Sequence, residues 1–260
     1  MLQPPLSYAR QAGLGSLGLT GFLLLWSVAA LSGLTTRDFL PAPWDVLNRL
    51  TQLMLAPFAG YTLPVHLLSS LTRFGMGFAI AVAVGIPLGL LMARFRWLDR
   101  IVSPIFDSVR FVAPIAWVPF AALWFGTGIG GPVLVIFTGA FPPVLINTYR
   151  GARHVDNKYI EAAQMLGANH WRVMTQVLLP ASVPSIVAGL RVSAGLGWQS
   201  LVGAELIVAS SGVGYLMVKG QASVNTATVM TGMVAIGIVG IVIDTLLRQL
   251  QGAIERRRGS

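Results

Sequence analysis

The sequence predicts an all-α membrane protein with about six transmembrane helices. Two observations carry this. Of the 260 residues, 55% are hydrophobic and only 10% charged, whereas soluble domains carry roughly 25% charged residues. The apolar residues also gather in runs of about 20, the length that crosses a bilayer core as a helix. The charge deficit decides the class, because a soluble domain of this size needs more polar surface than the chain provides.

The elements follow in order. A first span covers approximately 14–34, and the segment before it lacks the short apolar core and small-residue cleavage site of a signal peptide, so the run is read as a retained span. A connecting segment follows, punctuated by Pro41, Pro43, Pro57 and Pro64, with Trp44 and Tyr61 as interfacial aromatics. Span two covers 65–93 and is closed by Arg94, Arg96, Asp99 and Arg100. Span three covers 101–125 and contains Pro104, Pro114 and Pro119, which predict kinks. Span four covers 132–149, span five 183–210 and span six 227–247. Between spans four and five lies a polar loop, residues 150–182, and the whole chain reads as one transmembrane domain, 1–260.

Orientation follows from the basic residues. If both termini are cytoplasmic, the inner side holds Arg10, Arg94, Arg96, Arg100, Arg150, Arg153, Lys158, Arg172, Arg248, Arg256, Arg257 and Arg258. The outer side then holds only Arg37, Arg49, Arg73 and Lys219. This asymmetry places residues 126–131 outside and the C-terminal tail inside. It also accounts for the net charge of +9 as a membrane signal and removes the case for nucleic acid as a partner.

Several chemistries are excluded. With no cysteine there is no disulfide or thiolate metal site, and His66, His154 and His170 are too scattered for a metal cluster. The stretch GTGIGG at 126–131 has the spacing of a dinucleotide fingerprint, but an apolar span precedes it and Pro132 follows, so it reads as a tight turn. No phosphate-binding loop, H-E-x-x-H or G-x-S-x-G occurs. The chain has no nucleotide-binding device and no visible catalytic constellation, and it reads as a non-enzyme that binds no cofactor.

Ionisable residues inside spans are costly and are functional candidates by default. They are Asp107, Arg110, Arg191, Glu205 and Asp244. Asp107 and Arg110, three apart on one helix, are placed to neutralise each other. Asp244 is within reach of a tail arginine, and Glu205 suits a buried ion pair or a cap. A set this sparse argues against an ion-coupled carrier. Small residues recur four apart, Ala81, Gly85 and Gly89 in span two and Gly189, Ser193 and Gly197 in span five, and predict close helix packing, either within the chain or at a subunit interface or moving pathway.

The loop EAAQMLGANHWRVMTQVLLP, residues 161–180, is the anomaly. Tyr159, Ala162, Ala163 and Leu166 form one apolar stripe on a short helix, and Gly167 suits its termination. Asn169 is a candidate N-cap for a second helix whose Trp171, Met174 and Leu178 share a face, and Pro180 and Pro184 predict a break before span five. The residues alone allow two readings: a platform for docking a partner, or an amphipathic hairpin lying on lipid.

Glu161-Ala162-Ala163, three residues, Gly167, nine residues, Val177, one residue and Leu179-Pro180 resembles the EAA loop of ABC importer permeases, E-A-A-x3-G-x9-I-x-L-P, with Val177 in place of Ile as its one departure. FLPAPWDVL from Phe39, PIAWVPFAALWFGTG from Pro114 and LRVSAGLGWQSLVGAELI from Leu190 are similar to permeases for nitrate, taurine, alkanesulfonates and bicarbonate. The resemblance implies a type I ABC importer permease fold in a bacterial inner membrane. It implies a homodimer, two ATP-binding cassette subunits that handle ATP and Mg, and a periplasmic or lipoprotein substrate-binding protein. It implies that Glu161, Ala162, Ala163, Leu166, Gly167, Ala168, His170, Trp171 and Arg172 couple to the ATPase, and that the solute is a small oxyanion. Arg110, Trp117, Trp198, Gln199, Ser200 and Glu205 are the candidates for the translocation pathway. The competing readings are an ion-coupled secondary transporter, which would show an inverted repeat that this sequence lacks, and a structural membrane protein, which would leave the loop pattern unexplained.

Overall fold

The computed structural model describes residues 8–32 and 39–257. Gly33, Leu34, Arg37, Arg258 and Ser260, invoked above for the first span, the charge asymmetry and the tail, lie outside the described residues, as do the side chains of Arg10 and Arg257. The described residues form helices: α1 (Tyr8–Leu31), α2 (Pro43–Leu55), α3 (Leu63–Arg94), α4 (Arg96–Val109), α5 (Val118–Phe125), α6 (Gly130–Arg153), α7 (Asn157–Met165), α8 (His170–Val173), α9 (Leu179–Val208), α10 (Val213–Ala222) and α11 (Thr226–Arg257). Among the described residues, five stretches are long and apolar enough to cross a membrane: Gly13–Leu31, Leu63–Arg94, Gly130–Arg153, His170–Val208 and Thr226–Ile254.

The region read as span three, where prolines predict kinks, comprises α4 and the segment Pro114–Phe125, bent by 89° at the break between them. Pro114 is the cause. It has no N–H to donate and disfavours helical geometry in the residue before it, and Ala113 is extended at φ −58°, ψ 139°. Pro119 falls in the first turn of α5, where a proline costs nothing. At 14 residues, α4 is about 21 Å long, short of the ~30 Å hydrocarbon core.

Span five also differs from expectation. Pro180 does not interrupt the chain, because α8 runs through a π-helical turn, Met174–Leu178, straight into α9. A π turn shifts the hydrogen-bond register by one residue, which accommodates a proline that has no donor. The result is one helical stretch from His170 to Val208.

The chain divides into two compact units. One comprises residues 1–63 and 216–234. Within it, Trp26 Nε1 donates to the Pro41 carbonyl at 3.1 Å, and Arg49 Nε donates to Thr228 Oγ1 at 2.8 Å. Leu17, Leu24, Leu25 and Val28 of α1 are exposed, as suits a helix facing lipid.

The other comprises residues 64–215 and 235–260 and is organised around α6, of whose 24 residues eleven are buried. Small residues set the spacing on both sides of it. A Cβ at Gly77, Gly85 or Gly89 of α3 would lie 2.7–2.8 Å from Ile136, Val144 or Thr148. On the other side, Gly189 of α9 abuts Asn147, and Ser193 Oγ donates to the Ala140 carbonyl at 2.6 Å. Both small-residue stripes are therefore used for packing within the chain. Phe74, Ile136, Ala194, Trp198 and Leu201 form the adjoining apolar core.

Candidate functional site

The loop between α6 and α9 is built by local rules. Asp156 caps α7 by accepting from the Lys158 N–H at 3.0 Å. At the other end Gly167 adopts φ +80°. The Gly167 N–H donates to Gln164 O at 2.9 Å and the Ala168 N–H to Ala163 O at 3.0 Å, which is the paired hydrogen bonding of a Schellman termination. Asn169 Oδ1 then accepts from the Arg172 N–H at 2.9 Å and starts α8. The loop is thus a helix–turn–helix with a defined glycine corner.

Its inner face packs on the ends of α3 and α6. Ile160, Ala163, Ala168, Val173, Met174 and Leu178 meet Leu90 and Ala152. The stripe expected to be one surface is therefore split. Ala163 turns inward, while Tyr159 (67%), Leu166 (89%) and Trp171 (66%) are exposed, joined by Met165 at 87%. Glu161, Ala162 and Arg172 are exposed as well. His170 is held to the body: Arg94 Nη2 donates to its Nδ1 at 2.6 Å, and its ring meets Phe95 edge-on at 6.2 Å. The platform combines a rigid attachment with an outward apolar patch flanked by charge.

The pathway candidates separate into two groups. Arg110, Gln199 and Ser200 line one cavity of about 530 Å³ together with Thr138, Asn147 and a wall of Val112, Ile115, Pro142, Ile146 and Leu196. Arg110 Nε donates to Asp107 Oδ1 at 2.8 Å, as the spacing of these two residues predicts, and its Nη groups make no hydrogen bond to the described residues. The Gln199 carboxamide likewise makes no hydrogen bond to the described residues. Thr138 and Asn147 were missed by sequence reasoning. Their signal was their place on the α6 face shared with Gly139 and Pro143, and it is legible only once α6 is known to be central.

Trp117, Trp198 and Glu205 do not join this cavity. Trp117 packs against the cluster of Val118, Ala121, Val135, Ala204 and Val208. Trp198 is buried in the apolar core and donates Nε1 to the Ile236 carbonyl at 3.1 Å. Glu205, 1% exposed, is enclosed by donors. Arg73 Nη1 reaches Oε1 at 2.8 Å, Ser70 Oγ donates at 2.8 Å, and the Gly214 N–H at the start of α10 reaches Oε2 at 3.0 Å. Arg73 also holds Ser211, through its carbonyl and its Oγ, each at 2.7 Å. The carboxylate is both ion pair and helix cap. Its partner Arg73 reads in the sequence only as an outer-side charge, because 132 residues separate the two.

The other intramembrane ions are also paired. Arg191 Nε meets Asp244 Oδ1 at 2.6 Å, and Arg248 Nη2 meets Asp244 Oδ2 at 2.9 Å. The GTGIGG stretch is the turn from α5 into α6, entered through Gly126 at φ +62°.

Long apolar helices, a cavity between them and an outward platform on one loop define a membrane permease. Residues 85–260 match the family described as binding-protein-dependent transport system inner membrane component, and the chain belongs to that family. It is 36% identical over 250 residues to the taurine transport system permease protein TauC of Escherichia coli K12, covering 95% of this chain and 90% of that one. It is 33% identical over 247 residues to the bicarbonate transport system permease protein CmpB of Synechococcus elongatus, covering 92% and 88%. Among solved structures, inward-facing forms of the MetNI methionine ABC transporter share the fold. One has a TM-score of 0.63 at 19% identity over 72% of this chain and 93% of that one. The native crystal form has a TM-score of 0.61 over 81% and 96%. The protein is a multi-pass inner-membrane permease and not itself an enzyme.

Proposed function

We propose that this permease forms a homodimer with two ATP-binding cassette subunits, receives its solute from a binding protein, and imports a small oxyanion. Both termini and the 150–182 loop face the cytoplasm, and residues 126–131 face outward. Glu161, Ala162, Ala163, Leu166, Gly167, Ala168, His170, Trp171 and Arg172 form the coupling surface. ATP and Mg are bound by the partner ATPase.

One observation carries the coupling role: Tyr159, Met165, Leu166 and Trp171 project into solvent from a platform otherwise packed firmly onto the body. Exposed apolar residues in this number, rimmed by charge, mark a protein contact. The oxyanion reading is supported by the relatives, named for taurine and bicarbonate. It is supported too by the cavity, where Arg110 offers free N–H groups to an anion in surroundings of low dielectric. Arg110, Gln199 and Ser200 are the pathway contacts, while Trp117, Trp198 and Glu205 support the frame around them.

The test is ATP hydrolysis by the complete transporter with its binding protein in liposomes. Small oxyanions are expected to stimulate it, and neutral sugars and cations are not. Stimulation only by a cation or a neutral heterocycle would overturn the anion assignment while leaving the family membership intact.

A further inference from the structure

A second cavity, of about 500 Å³, lies between α7 and the ends of α3 and α6. Arg94, Arg96 and Arg153 line it from the body, and Asn157, Glu161 and Gln164 line it from α7. Three guanidiniums thus face one carboxylate. Arg94 and Arg96 make no ion pair among the described residues, and Arg153 has Asp99 no nearer than 3.6 Å. Arg94 is anchored at one end of its guanidinium, where Nη2 donates to His170, and its Nη1 makes no hydrogen bond among the described residues. An oxyanion in the cleft can therefore be held by the free end of the guanidinium, the planar geometry that suits such a group.

The adjoining helix points to the kind of oxyanion. In α4, which begins at Arg96, no residue is buried. Trp97, Ile101 and Ile105, four apart on one face, are 63%, 56% and 61% exposed. An apolar stripe headed by a tryptophan therefore starts one residue from the cationic cleft, the order in which an acyl chain follows a headgroup at a membrane interface.

We infer that this cleft binds the phosphate of an anionic phospholipid, with the lipid chains along Trp97, Ile101 and Ile105. The lipid would brace α7 from beneath, so that the coupling loop stands on a lipid as well as on protein. This assignment does not depend on the solute or on the pathway proposed above.

The test uses the transporter assembled with its ATPase subunits, titrated with phosphatidylglycerol, phosphatidylcholine and glycerol 3-phosphate and read by native mass spectrometry. Phosphatidylglycerol is expected to bind in preference to phosphatidylcholine. The Arg94→Gln/Arg96→Gln double variant is expected to weaken it about thirtyfold. Arg100→Gln, which removes an exposed charge outside the cleft, is expected to change it by about fivefold at most. Arg94→Lys keeps the charge but loses the fork, so it is expected to weaken binding while the complex elutes unchanged. Trp97→Ala is expected to weaken the lipid and not glycerol 3-phosphate. Equal affinity in the wild type and the double variant would overturn the site. Glycerol 3-phosphate binding as tightly as the lipid would overturn the lipid and assign the cleft to a soluble phosphate compound. Lipid bound by the free permease but excluded from the complex would overturn the proposal in favour of an ATPase contact.

Discussion

Arg73–Glu205 and Arg110–Asp107 are the same chemical pair at the same distance, 2.8 Å, and their settings are opposite. The side chains of the first are 6% and 1% exposed, and those of the second 35% and 58%. The first pair joins α3 to the end of α9 and the start of α10, and each oxygen of Glu205 is occupied by a donor from another element. The second lies within one helical turn, binds through a single Nε–H, and leaves the rest of its guanidinium facing a cavity. A sealed pair fixes geometry because nothing can replace its partners. An open pair positions a charge and keeps it available to a solute.

The largest expected effect comes from breaking the sealed pair. Removing one member of a buried ion pair strands the other and costs about 3–5 kcal/mol. Glu205→Ala should therefore lose most folded protein, measured as the monodisperse fraction surviving a thermal challenge in detergent. The double change Arg73→Met/Glu205→Leu leaves no stranded charge and should recover much of the loss. A stable Glu205→Ala protein would remove the distinction between the two pairs.

Gly167→Leu should come next, with transport abolished and membrane insertion retained. No atom lies within 4 Å of a Cβ at this position, so the fault is the backbone, where an L side chain at φ +80° costs about 1–2 kcal/mol. Asn, which tolerates this conformation better, should retain more transport than Leu. The readout is co-purification of the ATPase together with solute uptake. An unimpaired Gly167→Leu protein would detach coupling from this loop.

Arg110→Ala sharpens the comparison from the open side. Transport should fall about tenfold, the scale of one charge-assisted hydrogen bond, while thermal stability changes little, because an exposed pair is worth at most about 1 kcal/mol. Asp107 is 58% exposed, so removing Arg110 does not strand it in a packed core. Poor assembly of Arg110→Ala with unchanged uptake per folded transporter would make this pair structural too.

The smallest effect is expected from single cysteines in a chain that has none. Thr127→Cys should react with a membrane-impermeant thiol reagent in intact cells and Ser260→Cys should not, both with normal uptake. The reverse pattern would invert the topology.

Much of this protein was legible in its sequence. Apolar runs of membrane length announced the spans, because a backbone in lipid must satisfy its own hydrogen bonds and a helix does so locally. The cap at Asn169, the corner at Gly167, the Asp107–Arg110 pair and the turn at 126–131 were equally readable, each being an interaction among residues within a few positions. The EAA spacing carried the family. Tertiary structure decided whatever depended on distant neighbours. It matched Arg73 to Glu205 across 132 residues and placed Trp198 in the apolar core. It turned Ala163 inward while leaving Leu166 outward, and it brought Asn147 and Thr138 to the cavity that Arg110 lines. The break near Pro114 was foreshadowed by the proline itself, whereas Pro180, read as a break, was absorbed by a π turn that no local rule demanded. A sequence read in short windows contains the energies of short loops of chain. Which helix face meets which is settled by packing around α6, where glycines on two helices admit only one close partner.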